Sequence, residues 1–201
     1  MTSLFTYLMT RDPPLDTTNV KGGVNSFNSL WDEVEDYADW PDFTFQNMTA
    51  MLGPVLARNF PANQLDAPAP LRGALNRVVD ETTVTAVLLK WTHTIVGCAL
   101  ERASESMGAV KPLAWAMGGH AQGRREGSAT ILPDWAGVKL DQPAPVMNLV
   151  PGDSKVSGKW RWDMRNESAH RVEFFKPLKQ VTHYARQLGT RYAYIITDRE
   201  L

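Results

Sequence analysis

VPGDSKVSGKW occupies residues 150–160. Two readings compete for it. Gly152, Gly158 and Lys159 suggest a phosphate-binding loop. Asp153 and Lys155, two positions apart, suggest a strand end that carries chemistry. The loop reading fails on spacing. A P-loop places four residues between its first glycine and the Gly-Lys pair, followed by Ser or Thr for magnesium. Here five residues, DSKVS, intervene and Trp160 stands where the hydroxyl belongs. The loop length is what aims successive N–H groups at a phosphate, so the glycines are not a phosphate cradle. On a strand, side chains alternate between faces, so Asp153 and Lys155 point to the same side. That side presents a carboxylate and an ammonium to one ligand. Alone, an acid-x-Lys triplet is weak in a chain with 22 acidic residues.

The flanking elements give it context. From Thr82 to Met107 the apolar residues Val84, Val87, Leu88, Trp91, Ile95 and Cys98 follow a 3.6-residue period, predicting one long helix. Asp80 and Glu81 suit its first turn and Gly108 its end. PLAWAMGGHAQ (112–122) and GSATILPDWAGVKL (127–140) read as two strands of a hairpin joined by the polar GRRE. The VMNLVPGDSK run reads as a third strand. FFKPLKQVTHYARQLG (174–189) predicts a helix ending at Gly189, and RYAYIITD (191–198) a last strand. The order from residue 80 is therefore helix, three strands, helix, strand. Pro133-Asp134 ends the SATIL run, so two carboxylates, Asp134 and Asp153, sit at the ends of neighbouring antiparallel strands and can converge.

PDWAGVKL followed by VPGDSKVSGKW resembles the bipartite PD-(D/E)-x-K motif of the restriction-endonuclease-like nuclease superfamily. Pro133 and Asp134 match its first half, Asp153 and Lys155 its second. Gln180 to Tyr184 match the Gln-x-x-x-Tyr pair of its exonuclease-like branch. The stretches PDWAG, PGDSK and YAYIITDREL also resemble uncharacterised fungal proteins carrying such a domain. The resemblance spans roughly residues 80–201. It implies an α/β (α+β) fold with a mixed sheet and an αβββαβ core. It implies hydrolysis of phosphodiester bonds in nucleic acid, DNA before RNA, with Mg²⁺ or Mn²⁺ held by Asp134 and Asp153. The family adds a glutamate from the first helix; Glu101 is the choice here, with Glu105 and Glu81 as the other candidates. Lys155 would orient water or offset developing charge, Gln180 would position Lys155 or a phosphate, and Tyr184 either reaches the site or packs in the core. Such domains commonly continue past the last strand, which implies a short or truncated member whose activity is open. A nuclease-fold protein that binds nucleic acid or protein without cleaving is the alternative.

Composition limits the other classes. The chain has 201 residues, 43% hydrophobic, with a formal net charge of −1. Any nucleic-acid surface must therefore be a local patch. Lys159, Arg161, Arg165, Lys176 and Lys179 cluster in sequence around the site with Trp160 and Trp162 interleaved. They read equally as phosphate and base contacts or as a solvated loop whose Trp rings fill core gaps. One cysteine excludes an internal disulfide framework. The four histidines lack zinc spacing and no G-x-S-x-G elbow is present. No apolar run suggests a membrane span or secretion signal, so an intracellular protein, nuclear or cytoplasmic, is expected. Residues 1–79 read as a separate extension of loops and short helices, with a helix near 44–59. Its acidic, aromatic WDEVEDYADW (31–40) reads as a short helix, a segment for docking a protein partner, or a solvated face with Trp packed inward.

Overall fold

The structure, a computed structural model, describes residues 1–108, 113–121, 124–126 and 129–200. Five α-helices and eight strands form a mixed α+β fold among them. In chain order they are β1 Thr2–Ser3, α1 Leu4–Leu8, α2 Phe45–Leu56, β2 Asn59–Phe60, α3 Glu81–Lys90, α4 Thr92–Ser106 and β3 Leu113–Met117. Next come β4 Arg124–Glu126, β5 Ala129–Ile131, β6 Trp135–Lys139, β7 Gly152–Ser154, α5 Arg171–Leu188 and β8 Tyr194–Ile196.

The predicted helix over 82–107 is two helices. α3 starts where expected: Asp80 accepts from Thr83 N at 3.1 Å, and Thr83 Oγ1 accepts from Asp80 N at 2.9 Å. This reciprocal pair satisfies two orphan donors of the first turn. The chain then bends by 42° at Trp91. Neither Gly nor Pro marks the bend, and the apolar period continues through it, so the sequence carries no signal for it. Beyond the bend, His93 Nε2 lies 2.6 Å from Trp115 O, which ties α4 to β3. No single helix among the described residues is long and apolar enough to cross a membrane.

The principal sheet has the order β3-β6-β7-β8. β3 pairs antiparallel with β6 from Leu113↔Lys139 to Met117↔Trp135. β6 pairs antiparallel with β7 at Trp135↔Gly152, and β7 pairs parallel with β8 from Gly152↔Tyr194 to Ser154↔Ile196. The expected hairpin thus exists, but its second strand is β6 alone. The SATIL portion forms a separate small ladder, β4 with β5. Residues 109–112, 122, 123, 127 and 128, which include both ends of the expected first strand, the start of its connection and the start of the expected second strand, lie outside the described residues.

Side-chain alternation distributes β8 over two cores. Ile196 packs with Val84, Val87, Leu88, Trp135 and Val156 on the α3 side. Ile195 packs with Trp160, Phe174, Phe175 and Val181 on the α5 side. A strand covered on both faces needs a continuous apolar run, which RYAYII supplies. α5 starts at Arg171, three residues before the predicted start, and ends at Gly189 as read.

Residues 1–79 pack into the same body. Leu4 and Tyr7 share a cluster with Ile95, Cys98 and Ala99 of α4. Leu15 and Val20 pack against the α3-side core. Asp16 N donates to Asn76 O at 2.8 Å and Lys21 N to Val79 O at 2.8 Å. Residues 31–40 contain neither helix nor strand. Trp31 and Val34 are half-buried, Val34 against the α5-side core; Tyr37 is exposed although its ring touches Phe174, and Trp40 is exposed and stacks on Tyr192 at 5.6 Å.

Candidate active site

Asp153 and Ser154 occupy consecutive positions of β7 and so face opposite sides. In the parallel pairing Asp153 is opposite Ile195 and Ser154 opposite Ile196. Asp153 therefore points to the α5 side. There its Oδ1 accepts a 3.0 Å hydrogen bond from Gln180 Nε2, and its Oδ2 pairs with Lys155 Nζ. Lys155 Nζ also donates to Ser154 O at 3.3 Å. The ammonium has three donors, so one remains for a ligand or water among the described contacts. Asp153 and Lys155 are 2% and 4% exposed.

Burial pushes the Asp153 carboxyl up, to about 6 from its ordinary 3.8. Lys155 beside it opposes that shift, and the negative charges of Asp134 and Glu81 add to it. At neutral pH the group is therefore mostly ionised, held so by the buried lysine.

Asp134 arrives from the turn before β6. Its Oδ2 accepts the Ser154 backbone N–H at 2.9 Å, which fixes the carboxylate against the end of β7. Two further contacts set this approach. Trp135 Nε1 donates to Ser154 Oγ at 2.7 Å across the sheet. Gly118 N donates to Asp134 O at 2.8 Å. A Cβ at Gly118 would lie 1.6 Å from Pro133 O, so only glycine permits this crossing. Gly152 has the same role on β7: a Cβ there would lie 2.1 Å from Cζ of Tyr194, whose ring lies over the strand. Both glycines thus serve strand geometry. Asp134, unlike Asp153, is exposed, so the site opens toward solvent on that side.

Gln180 bridges sheet and helix. Its Nε2 reaches Asp153 and, at 2.7 Å, Tyr184 OH. Tyr184 is buried, and burial raises its hydroxyl to about 12, so it stays protonated. Gln180 Oε1 is buried with no hydrogen-bond partner. A buried acceptor left without a donor costs about 1–3 kcal/mol, and it marks a place where a bound group can donate. The oxygen donors gathered here, two carboxylates and this carbonyl, are hard ligands of the type Mg²⁺ takes. Among the described residues no three His, Cys, Asp or Glu side chains form a group that could hold a metal ion.

Glu101, the expected third carboxylate, is not brought here. It lies on α4, more than half exposed, and pairs with Arg102 at 3.1 Å. The bend at Trp91 is the reason, because α4 packs on α1 and β3 whereas α3 packs on β7. The helix residue that acts on Asp153 is Glu81, at the first position of α3, where it pairs with Lys159 at 3.4 Å. It is one of the two other candidates the sequence offered, placed directly after the Asp80 cap.

The expected nucleic-acid contacts are differently placed. Trp160 is 5% exposed, stacks on Phe174 at 5.9 Å and donates its Nε1–H to Phe174 O at 3.0 Å. It is a core residue and unavailable to bases. Its apolar surface is worth more buried between α5 and β8 than on a loop. Lys159, Arg161, Lys176 and Lys179 all carry carboxylate partners within the chain: Glu81, Asp163 with Glu167, Glu173, and Glu33. Arg165 lies over the half-exposed Trp162 ring at 4.5 Å.

No protein-family model matches the chain, and neither curated proteins nor solved structures yield a match.

Proposed function

We propose that the protein is a metal-dependent nuclease that hydrolyses phosphodiester bonds on a restriction-endonuclease-like αβββαβ core. The observation that carries the reading is the meeting of Asp134, Asp153, Lys155 and Gln180, drawn from the β6 approach, β7, the residue after β7 and α5. The order α3/α4-β3-β6-β7-α5-β8, with antiparallel and then parallel pairing, supports the same core.

Asp134 and Asp153 would hold Mg²⁺ or Mn²⁺, which supplies an activated water and charge stabilisation on the phosphate. The chain's own residues do the rest. Lys155, oriented by Asp153 and the Ser154 carbonyl, places a positive charge where negative charge develops. Gln180 holds Asp153 Oδ1, and its free carbonyl oxygen accepts from a bound water. Glu81 is the additional carboxylate and Lys159 holds its orientation. DNA is the preferred substrate on this reading, and the fold supplies no base-reading element in the described contacts.

A second reading, a nuclease-fold protein that binds without cleaving, is favoured by one observation. Both oxygens of Asp153 are already engaged, by Lys155 and Gln180. Cleavage of labelled single-stranded and duplex DNA and RNA with Mg²⁺ or Mn²⁺ separates the two. The nuclease reading expects metal-dependent products that Asp153→Ala abolishes while circular dichroism stays unchanged. Unaltered cleavage by that variant overturns it, and binding without turnover in the wild type selects the second reading.

A further inference from the structure

Residues 24–43 contain six acidic side chains and no lysine or arginine. Residues 159–191 contain eight lysines and arginines against three acidic residues. The two segments lie together. Glu33 pairs with Lys179 Nζ, and Asp32 with the Arg186 guanidinium and, at 3.1 Å, with His183 Nδ1. Tyr37 packs against Trp162 and Phe174 at 5.4 and 5.6 Å. The cations so engaged bracket Gln180, the α5 residue that bonds Asp153. They therefore line one helix beside the candidate active site.

The acidic segment is weakly fastened. Among the described residues, its only backbone–backbone bonds are Trp31 N to Asn28 O and Phe43 N to Trp40 O, both within the segment. Its tie to the rest of the chain is side-chain contact plus the Asn25 amide on Glu173 at 2.7 Å. Glu33 and Arg186 are the solvent-exposed partners in two of these pairs, and an ion pair open to solvent contributes about 0–1 kcal/mol; the Asp32–His183 contact is largely buried. A segment held this way opens more readily than the core. Carboxylates and phosphate oxygens satisfy Lys and Arg with the same charge-assisted hydrogen bonds.

We propose that residues 31–37 form an autoinhibitory strap whose Asp32 and Glu33 occupy, as phosphate mimics, the α5 track that receives the nucleic-acid backbone. This inference rests on the nuclease reading for the identity of the polyanion. A nucleic acid offers many phosphates at fixed spacing and gains counterion release at each contact, so it displaces two tethered carboxylates. The strap then sets a threshold: short or isolated anions leave it closed, and polymers open it.

The test compares the full-length wild type with Asp32→Asn/Glu33→Gln and with Asp39→Asn/Asp42→Asn. The last carries the same charge change on the same segment away from α5. Binding of labelled duplex DNA and of inorganic polyphosphate is followed by anisotropy in EDTA over a salt series, with thermal melts to check folding. The strap predicts that Asp32→Asn/Glu33→Gln binds both probes about tenfold more tightly than Asp39→Asn/Asp42→Asn, with a log–log salt slope steeper by about 2. Adding Lys179→Gln to the first variant should reverse part of that gain. Equal affinities for the two double variants overturn the strap, whatever the cleavage assay shows. A gain for both probes with no cleavage under Mg²⁺ keeps the strap and removes the nuclease reading.

Discussion

Lys155→Met tests the electrostatics of the site without reference to substrate. In the wild type the Asp153 carboxyl titrates near 6, against 3.8 when exposed. Its folded value is raised, so folding takes up a proton between those two values. Its contribution is most favourable below about 3.8, declines as pH rises, and levels off above about 6. The two-unit difference corresponds to about 3 kcal/mol, from 1.36 kcal/mol per unit. Lys155 is the main influence opposing the upward shift. Methionine keeps the length and apolar stem but removes the charge, so Asp153 rises further above 6. At pH 8 the variant holds a buried carboxylate without its cation, and loss of one partner of a buried pair costs about 3–5 kcal/mol. At pH 5 the carboxyl takes a proton and the loss falls to about 1 kcal/mol, near the cost of altered packing. Urea denaturation of both proteins at pH 5 and 8 measures the difference. A destabilisation equal at the two pH values would show that Lys155 does not hold Asp153 ionised, and the site's charge arrangement would be wrong.

Trp160→Ala should lower stability by about 3–5 kcal/mol in urea denaturation, as for a buried aromatic. A stable variant with weakened nucleic-acid binding would instead restore the base-stacking role. Gly118→Ala should cost about 3 kcal/mol or more, because its Cβ meets the Pro133 carbonyl, and should reduce any cleavage by displacing Asp134. A melt within a degree or two of wild type refutes that close approach. Glu81→Gln should lower the metal-dependent rate at least about tenfold, the effect of losing about 1.4 kcal/mol of stabilisation, and Glu101→Gln should leave it unchanged. The reverse ranking would return the third carboxylate to α4.

Much of the sheet was readable because its signals are local. Pro133-Asp134 closes an apolar run, Asp153 and Lys155 alternate on a strand, and Gln180 and Tyr184 lie one helical turn apart. Lys155, Asp153, Gln180 and Tyr184 are linked in series by hydrogen bonds, and Asp134 accepts from the Ser154 N–H beside them. What failed depended on partners distant in sequence. The bend at Trp91 is invisible because α3 and α4 present one continuous apolar period to adjoining cores. With the chain bent there, Glu101 lies on α4 paired with Arg102, while Glu81 at the start of α3 is the helix carboxylate whose charge reaches Asp153. Trp160 read equally as a base contact or a core filler, and Phe174, fourteen positions away, decides for the core by supplying both its stacking face and its hydrogen-bond acceptor. Residues 31–40, read as a possible short helix, form none, and Asp32 and Glu33 within them pair with Lys179, His183 and Arg186, about 150 positions away. A linear reading could register their charge and not its destination.

In the proposed function, Asp134 and Asp153 together support metal-dependent phosphodiester hydrolysis. Asp134 is the cleaner handle, because it is exposed and its loss removes one hydrogen bond, worth about 1 kcal/mol. The direct measurement is the initial rate of DNA cleavage against Mg²⁺ concentration for the wild type and Asp134→Asn. The account predicts a saturable, Mg²⁺-dependent rate for the wild type and a loss of about a hundredfold or more for the variant, whose melting temperature stays close to wild type. A rate that is independent of Mg²⁺, or the same in both proteins, contradicts it.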